Sequence, residues 1–195
     1  MKRNIKNRII ITISLVLMIA INSYAVSAGE KKETYTSDKH GMSVVIGKTY
    51  DPTNNIDFYM LSGFIIYDYE KVWRHKAPEQ LRFKVEGSIG AAHDEKTRLV
   101  TSMNIFALMY LDFLETPHFK PYIEGGIGII YTDFQVRGQG LRINFNPQLG
   151  VGTEIRNKSE ETLFFSLRLH HISNGGLDDD NVGVNSVMGM LGCYF

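Results

Sequence analysis

From about residue 42 to its end, the chain alternates apolar and polar positions with a period of two. Over 81–90, Leu81, Phe83, Val85 and Ile89 share one face, and Arg82, Lys84, Glu86 and Ser88 share the other. Over 141–155 the apolar set is Leu141, Ile143, Phe145, Leu149, Val151 and Ile155, opposed by Arg142, Asn144, Asn146, Gln148 and Glu154. Successive side chains of a strand point to opposite faces, so these stretches read as two-faced strands. Eight are predicted, at about 42–50, 56–68, 81–92, 98–113, 118–133, 141–155, 162–173 and 184–195. Segments 56–68 and 98–113 are too apolar for the pattern to assign their faces cleanly. Turn residues fill the connections, as in Asp51-Pro-Thr-Asn-Asn, Ala92-His-Asp-Glu-Lys, Leu114-Glu-Thr-Pro, Gly138-Gln-Gly and Asn157-Lys-Ser-Glu-Glu. Residues 29–41 read as a short irregular lead. There is no repeat, no low-complexity tract and no second domain.

A soluble barrel or sandwich would turn the apolar faces inward. Two features favour a membrane barrel that turns them outward. The polar faces carry Arg82, Lys84, Glu86, Glu124, Arg142, Glu154 and Arg168, which can pair inside a small barrel. The chain ends Val187-Met-Gly-Met-Leu-Gly-Cys-Tyr-Phe195, and a terminal Phe with Cys193, Leu191 and Val187 at alternate positions resembles the C-terminal signal of outer-membrane barrels. That strand is expected to engage the barrel-assembly machinery through Phe195. A closed barrel leaves no open edge, which lipid could not satisfy. The expected fold is therefore all-β, an eight-stranded antiparallel transmembrane β-barrel. Eight strands fill their interior with side chains, which argues against a general diffusion pore.

The N-terminus changes the picture in one respect. Lys2, Arg3, Lys6 and Arg8 precede the apolar run Ile9–Ile21, and Ala25 and Ala28 offer small-residue cleavage positions. This is a secretory signal pattern, read as a signal peptide over 1–28 and a barrel domain over 29–195. The run is shorter than the roughly 20 residues of a spanning helix. The 21 basic and 21 acidic residues balance, but residues 1–28 hold four of the bases and no acid. Without them the net charge is −4, which excludes a basic nucleic-acid binder. The single cysteine, Cys193, excludes an internal disulfide framework and a multi-cysteine zinc site, and its apolar neighbours mark it as inert.

Candidate chemistry lies in the tail, Leu167-Arg-Leu-His-His-Ile-Ser-Asn-Gly-Gly-Leu-Asp-Asp-Asp-Asn-Val-Gly-Val-Asn-Ser186. Leu163, Phe165, Leu167 and Leu169 form an outward face that His171 and Ser173 continue, while Arg168 and His170 point inward. On the last strand the outward set Phe195, Cys193, Leu191, Gly189 and Val187 continues to Asn185. A hairpin symmetrical about Asp178 pairs Leu169 with Val187 and His171 with Asn185, with directly opposed Cβ atoms roughly 5 Å apart. A Ser, a His and an Asn then converge on the outer wall at one rim. With both termini in the periplasm, the 174–183 loop opens to the exterior, at the level of the outer leaflet. A polar cluster on a lipid face is costly unless it has a partner or a purpose.

The tail resembles the lipid A 3-O-deacylase family, the PagL-type outer-membrane esterases, through His171-x-Ser173-Asn174, Asn181-x-Gly183 and the aromatic end. The resemblance implies hydrolysis of the ester-linked acyl chain at position 3 of lipid A in lipopolysaccharide, with Ser173 as nucleophile and His171 as general base. Where the family's best-known members carry a Glu as third triad member, this chain has Asn185. An Asn can orient a His but cannot stabilise an imidazolium by charge. The expectation is lower activity, or an acid supplied by Asp178, Asp179 or Asp180. Candidate oxyanion donors are Asn174, Asn181 and the N–H groups of Gly175 and Gly176. No metal or organic cofactor is required.

Other features have plainer readings. Asp178–Asp180 reads as a solvated loop before a cation site, and His93-Asp-Glu95 as turn chemistry. His170 reads as a hydrogen-bonded interior residue, and Tyr67, Tyr69 and Trp73 as an interfacial girdle. Two other functions stay open: a non-enzymatic structural or adhesive small barrel, and a phospholipase of the same leaflet.

Overall fold

The computed structural model describes residues 39–156 and 162–195. The expected signal peptide, most of the lead and the turn at 157–161 lie outside them. The strands are β1 (Lys39–Asp51), β2 (Asp57–Asp68), β3 (Leu81–His93), β4 (Thr97–Tyr110), β5 (Phe119–Thr132), β6 (Ile143–Phe145), β7 (Gln148–Arg156), β8 (Thr162–Ile172) and β9 (Val184–Tyr194). Each pairs antiparallel with its neighbours, and the pairing of β1 with β9 closes the sheet. The β6 and β7 pieces are one stave of an eight-stranded barrel: the register Ile129↔Phe145 continues unshifted as Gly126↔Gln148. The interruption falls at Asn146-Pro147, because proline brings no N–H to the ladder.

Alternation decides which side chains meet lipid. Met42, Val44, Ile46, Leu61, Leu149 and Val151 are among the exposed apolar residues of the wall. The two segments without a readable face resolve: Phe58, Met60, Ser62, Phe64 and Ile66 point inward, as do Val100, Asn104, Phe106, Leu108 and Tyr110. Their pattern was blurred because the interior itself is apolar near both ends. At the end bearing the 173–183 loop, Phe58 packs edge-on against Phe134, with Val100, Ile130, Ile172 and Val184 in the same buried cluster. At the end bearing Lys39 and Phe195, Phe64, Phe164 and Tyr194 pack together at 5.2–5.7 Å between centroids.

Between these ends lies an ionic layer. Arg168 donates to both oxygens of Glu86, at 2.7 and 2.9 Å, and through Nε to Glu124 at 2.7 Å. Lys84 completes the group, 2.9 Å from Glu86 and 3.4 Å from Glu124. Buried charge is tolerable only when paired and hydrogen-bonded in this way. Nearer the Phe195 end, Lys39 donates to both oxygens of Glu154 at 2.9 Å, and Tyr110 also donates to Glu154. Arg142 departs from its expected interior position: it lies exposed in the 133–142 connection, paired with Asp133. Arg82 is only half-buried, at the terminal end of its strand.

Two short elements were not predicted. Helix α1 (Tyr69–Trp73) starts at Asp68, whose carboxylate accepts from the N–H groups of Glu70 and Lys71. It carries Tyr69 and Trp73 over Phe83 at the Phe195 end. A 3₁₀ turn at Asp112–Leu114 ends the fourth segment sooner than its apolar run suggests.

Candidate active site

The tail hairpin has the register that its symmetry predicts. Leu169 pairs with Val187 and His171 with Asn185. His170 and Ile172 are buried, so His171 and Ser173 lie on the opposite, outward face with exposed Leu167 and Leu169. His171 Nδ1 stands 2.6 Å from Asn185 Oδ1. Asn185 in turn donates from Nδ2 to Asp51 Oδ2 at 2.7 Å. Asp51 reaches this position through a β-bulge: Thr49 pairs with Ser186, Tyr50 is skipped, and Asp51 pairs with Asn185. The loop acids are placed elsewhere. Asp178 accepts from the N–H of Asp180 and packs against Gly140, and none of Asp178, Asp179 and Asp180 bonds to the His171 ring.

The other stave fixes the backbone of Ser173. Its N–H donates to Phe145 O at 3.2 Å and its carbonyl accepts from Phe145 N–H at 2.8 Å. His171 N–H donates to Pro147 O at 3.0 Å, and proline returns no bond. Ser173 and His171 thus sit where the wall changes from β7 to β6. The Ser173 hydroxyl makes no hydrogen bond to the imidazole among the described residues. The ring packs over Gly183, where a Cβ would fall 2.6 Å from His171 Cε1 and 3.2 Å from Nε2.

The 173–183 loop sorts the oxyanion candidates. Asn174 is buried, 1% exposed, and its amide serves the loop. Its Nδ2 donates to Asp180 O at 2.9 Å, and its Oδ1 accepts from Gly176 N–H at 2.8 Å. Its backbone N–H goes to Asn181 Oδ1 at 2.8 Å. The Asn174 side chain therefore points away from the wall that carries Ser173, and the Gly176 N–H is occupied. Asn181 is exposed and keeps its Nδ2 unengaged, and the Gly175 N–H takes no hydrogen bond among the described residues. Gly175 has φ +64°, a left-handed conformation that suits glycine. The 133–142 connection laces this loop down, with Gly140 N–H to Asp180 O at 2.7 Å and Val182 N–H to Gly138 O at 2.8 Å.

A second His–Ser contact lies just inside the wall. His170 Nδ1 is 2.7 Å from Ser186 Oγ, but both are buried beside Phe58, out of reach of any substrate. Among the described residues no cluster of three or more His, Cys, Asp or Glu could hold a metal ion. Two contributors escaped the sequence. Asp51 read as turn chemistry, and only the bulge reveals its partner. Gly183 stood in the motif without a reason, which its contact with the ring supplies.

A sequence model of the family described as lipid A 3-O-deacylase (PagL) matches residues 47–194. No curated protein matches the chain by sequence. Among solved structures, the outer membrane enzyme PagL aligns with a TM-score of 0.53 at 21% identity, covering 78% of this chain and 97% of that one. Neisserial surface protein A (NspA) aligns with a TM-score of 0.60 at 13% identity, covering 83% and 98%. At these identities the structural likenesses speak for the barrel fold alone.

Proposed function

The chain belongs to the lipid A 3-O-deacylase family of outer-membrane β-barrel enzymes, and from that premise we propose that it is a serine esterase working at the outer leaflet. Its substrate on this reading is lipid A, and the bond cleaved is the ester of the 3-hydroxyacyl chain at position 3. The observation that carries the reading is the His171–Asn185 contact beside Ser173 on the lipid-facing wall. Lipid would penalise an outward polar trio there without a use. Both termini in the periplasm put this rim outside, level with the substrate. The residues 1–28 serve as the signal peptide that takes the chain there, and the Phe195 strand as the contact for the barrel-assembly machinery.

The chemistry is acyl transfer in two steps. His171 Nε2 accepts the Ser173 proton as Oγ attacks the ester carbonyl. The oxyanion gathers at the free donors, the Gly175 N–H and Asn181 Nδ2, rather than at Asn174, whose amide is committed to the loop. His171 then returns the proton to the departing sugar hydroxyl. Water, deprotonated by the same ring, releases the 3-hydroxy acid and frees Ser173. Asn185 orients the ring.

Mass spectrometry of lipid A from a Gram-negative host expressing the protein tests this. Wild type should remove one 3-hydroxyacyl chain. Ser173→Ala and His171→Ala, at equal membrane levels, should each lose at least about 10³-fold in rate. Unchanged lipid A with wild type, or full activity in Ser173→Ala, would sink the proposal.

A further inference from the structure

We propose that Asp51 is the positioning residue that sets the tautomer of His171, acting through the side-chain amide of Asn185. The inference rests on the reading of His171 as general base. The three groups lie in line, with His171 Nδ1 2.6 Å from Asn185 Oδ1 and Asn185 Nδ2 2.7 Å from Asp51 Oδ2.

An amide has two faces: its oxygen accepts and its NH₂ donates. Against a neutral imidazole either face can satisfy Nδ1. The oxygen accepts from a protonated Nδ1, and the NH₂ donates to an unprotonated one. Only the first leaves a lone pair on Nε2 to receive the Ser173 proton. The second makes Nε2 a donor and the ring useless as a base toward Ser173. An Asn in the third position, unlike a carboxylate, therefore leaves the choice open.

Asp51 closes it. A carboxylate offers only acceptors, so the amide beside it must present its NH₂ to Asp51 and its oxygen to His171. Because Asp51 is exposed, solvent screens its charge at the ring. The orientation of the amide does not depend on that charge reaching the ring. The bulge is the device that makes the contact. Thr49 is buried and Tyr50 exposed, so in an unbulged strand Tyr50 would face Asn185 and Asp51 would point into the barrel. The extra residue turns Asp51 onto the outer wall, and bulges are known to re-aim side chains beside active sites.

The test uses the full barrel in lipid nanodiscs with ¹⁵N-labelled histidine. The His171 signals are those lost in His171→Gln. In alkaline buffer, with the ring neutral, wild type should show protonated Nδ1. Asp51→Leu should shift the tautomer ratio by roughly tenfold or more toward protonated Nε2, and kcat on lipid A should fall by a similar factor with KM unchanged. The exchange Asp51→Asn with Asn185→Asp puts the acceptor-only group at position 185, and should recover both protonated Nδ1 and kcat. An unchanged tautomer in Asp51→Leu overturns the proposal. So does a loss of kcat that the exchange leaves in place, which would mark Asp51 as a strand-end contact. If Asp51→Leu fails to fold, the isosteric Asp51→Asn is read in its place by the same criteria. The two readings fail separately: an active Ser173→Ala sinks the esterase, whereas the ring signals report on Asp51 without any turnover.

Discussion

At the scale of single residues, the site is governed by what is absent as much as by what is present. Gly183 has no Cβ, and the His171 ring occupies the space that one would take. Gly183→Ala forces the imidazole off its line to Asn185 while leaving the strands intact. A displacement on the order of 1 Å near the reacting atoms can cost about 100-fold. The expected outcome is a fall in kcat/KM of about 10- to 100-fold with heat-modifiable, folded barrel on gels. Wild-type activity in that variant would show that the ring has room to spare. His171, Ser173 and Asn185 were legible from the chain because strand parity and a symmetrical hairpin place them without further information. Asn174 was not legible as a loop residue, since parity places it inward but says nothing of its three loop hydrogen bonds. Asp51 was out of reach because a single skipped residue reverses its face, and nothing in a two-residue period announces the skip.

At the scale of elements, two connections act as one. The 133–142 segment holds the 173–183 loop through Gly140 to Asp180 and Val182 to Gly138. A Cβ on Gly140 would lie 2.8 Å from Asp180 O and closer still to the Asp178 carboxylate. Gly140→Ala should therefore unlace the pair. Hydrogen exchange checks this: the backbone amides at position 140 and at Val182 should exchange about tenfold faster than in wild type, while the β8–β9 ladder keeps its protection. Equal rates would mean that the loops are held by other contacts. The existence of the strands was readable from alternation and turn residues, and their ends to within a few residues, but not the break of the sixth at Asn146-Pro147. Helix α1 was missed because five residues are too few to show a helical period, and its start depends on the Asp68 cap.

At the scale of the whole molecule, an ionic layer ties distant staves together inside the barrel. Arg168 on β8 bridges Glu86 on β3 and Glu124 on β5, across the lumen. Arg168→Met fills a similar volume but leaves two buried carboxylates sharing Lys84. Removing one partner of such a network costs about 3–5 kcal/mol. Urea-driven unfolding from lipid vesicles should show a loss of that size, and a loss below about 1 kcal/mol would mean that water enters the lumen and solvates the acids. The sequence marked these residues as interior by parity, and opposite charge suggested that they pair. It could not say which acid meets which base, because that depends on how the sheet curls.

The proposed site also straddles the closure of that sheet. Asp51 belongs to the first strand, His171 and Asn185 to the last two, and 134 residues separate Asp51 from Asn185 along the chain. His171 and Asn185 meet within one hairpin, but Asp51 reaches Asn185 only across the junction where the end of the polypeptide finds its beginning. A chain still waiting in the periplasm has every residue of the site but not the Asp51–Asn185 contact that closure supplies. On this reading the His171 tautomer is set only once the first and last strands have paired. The tautomer then reports on completed biogenesis.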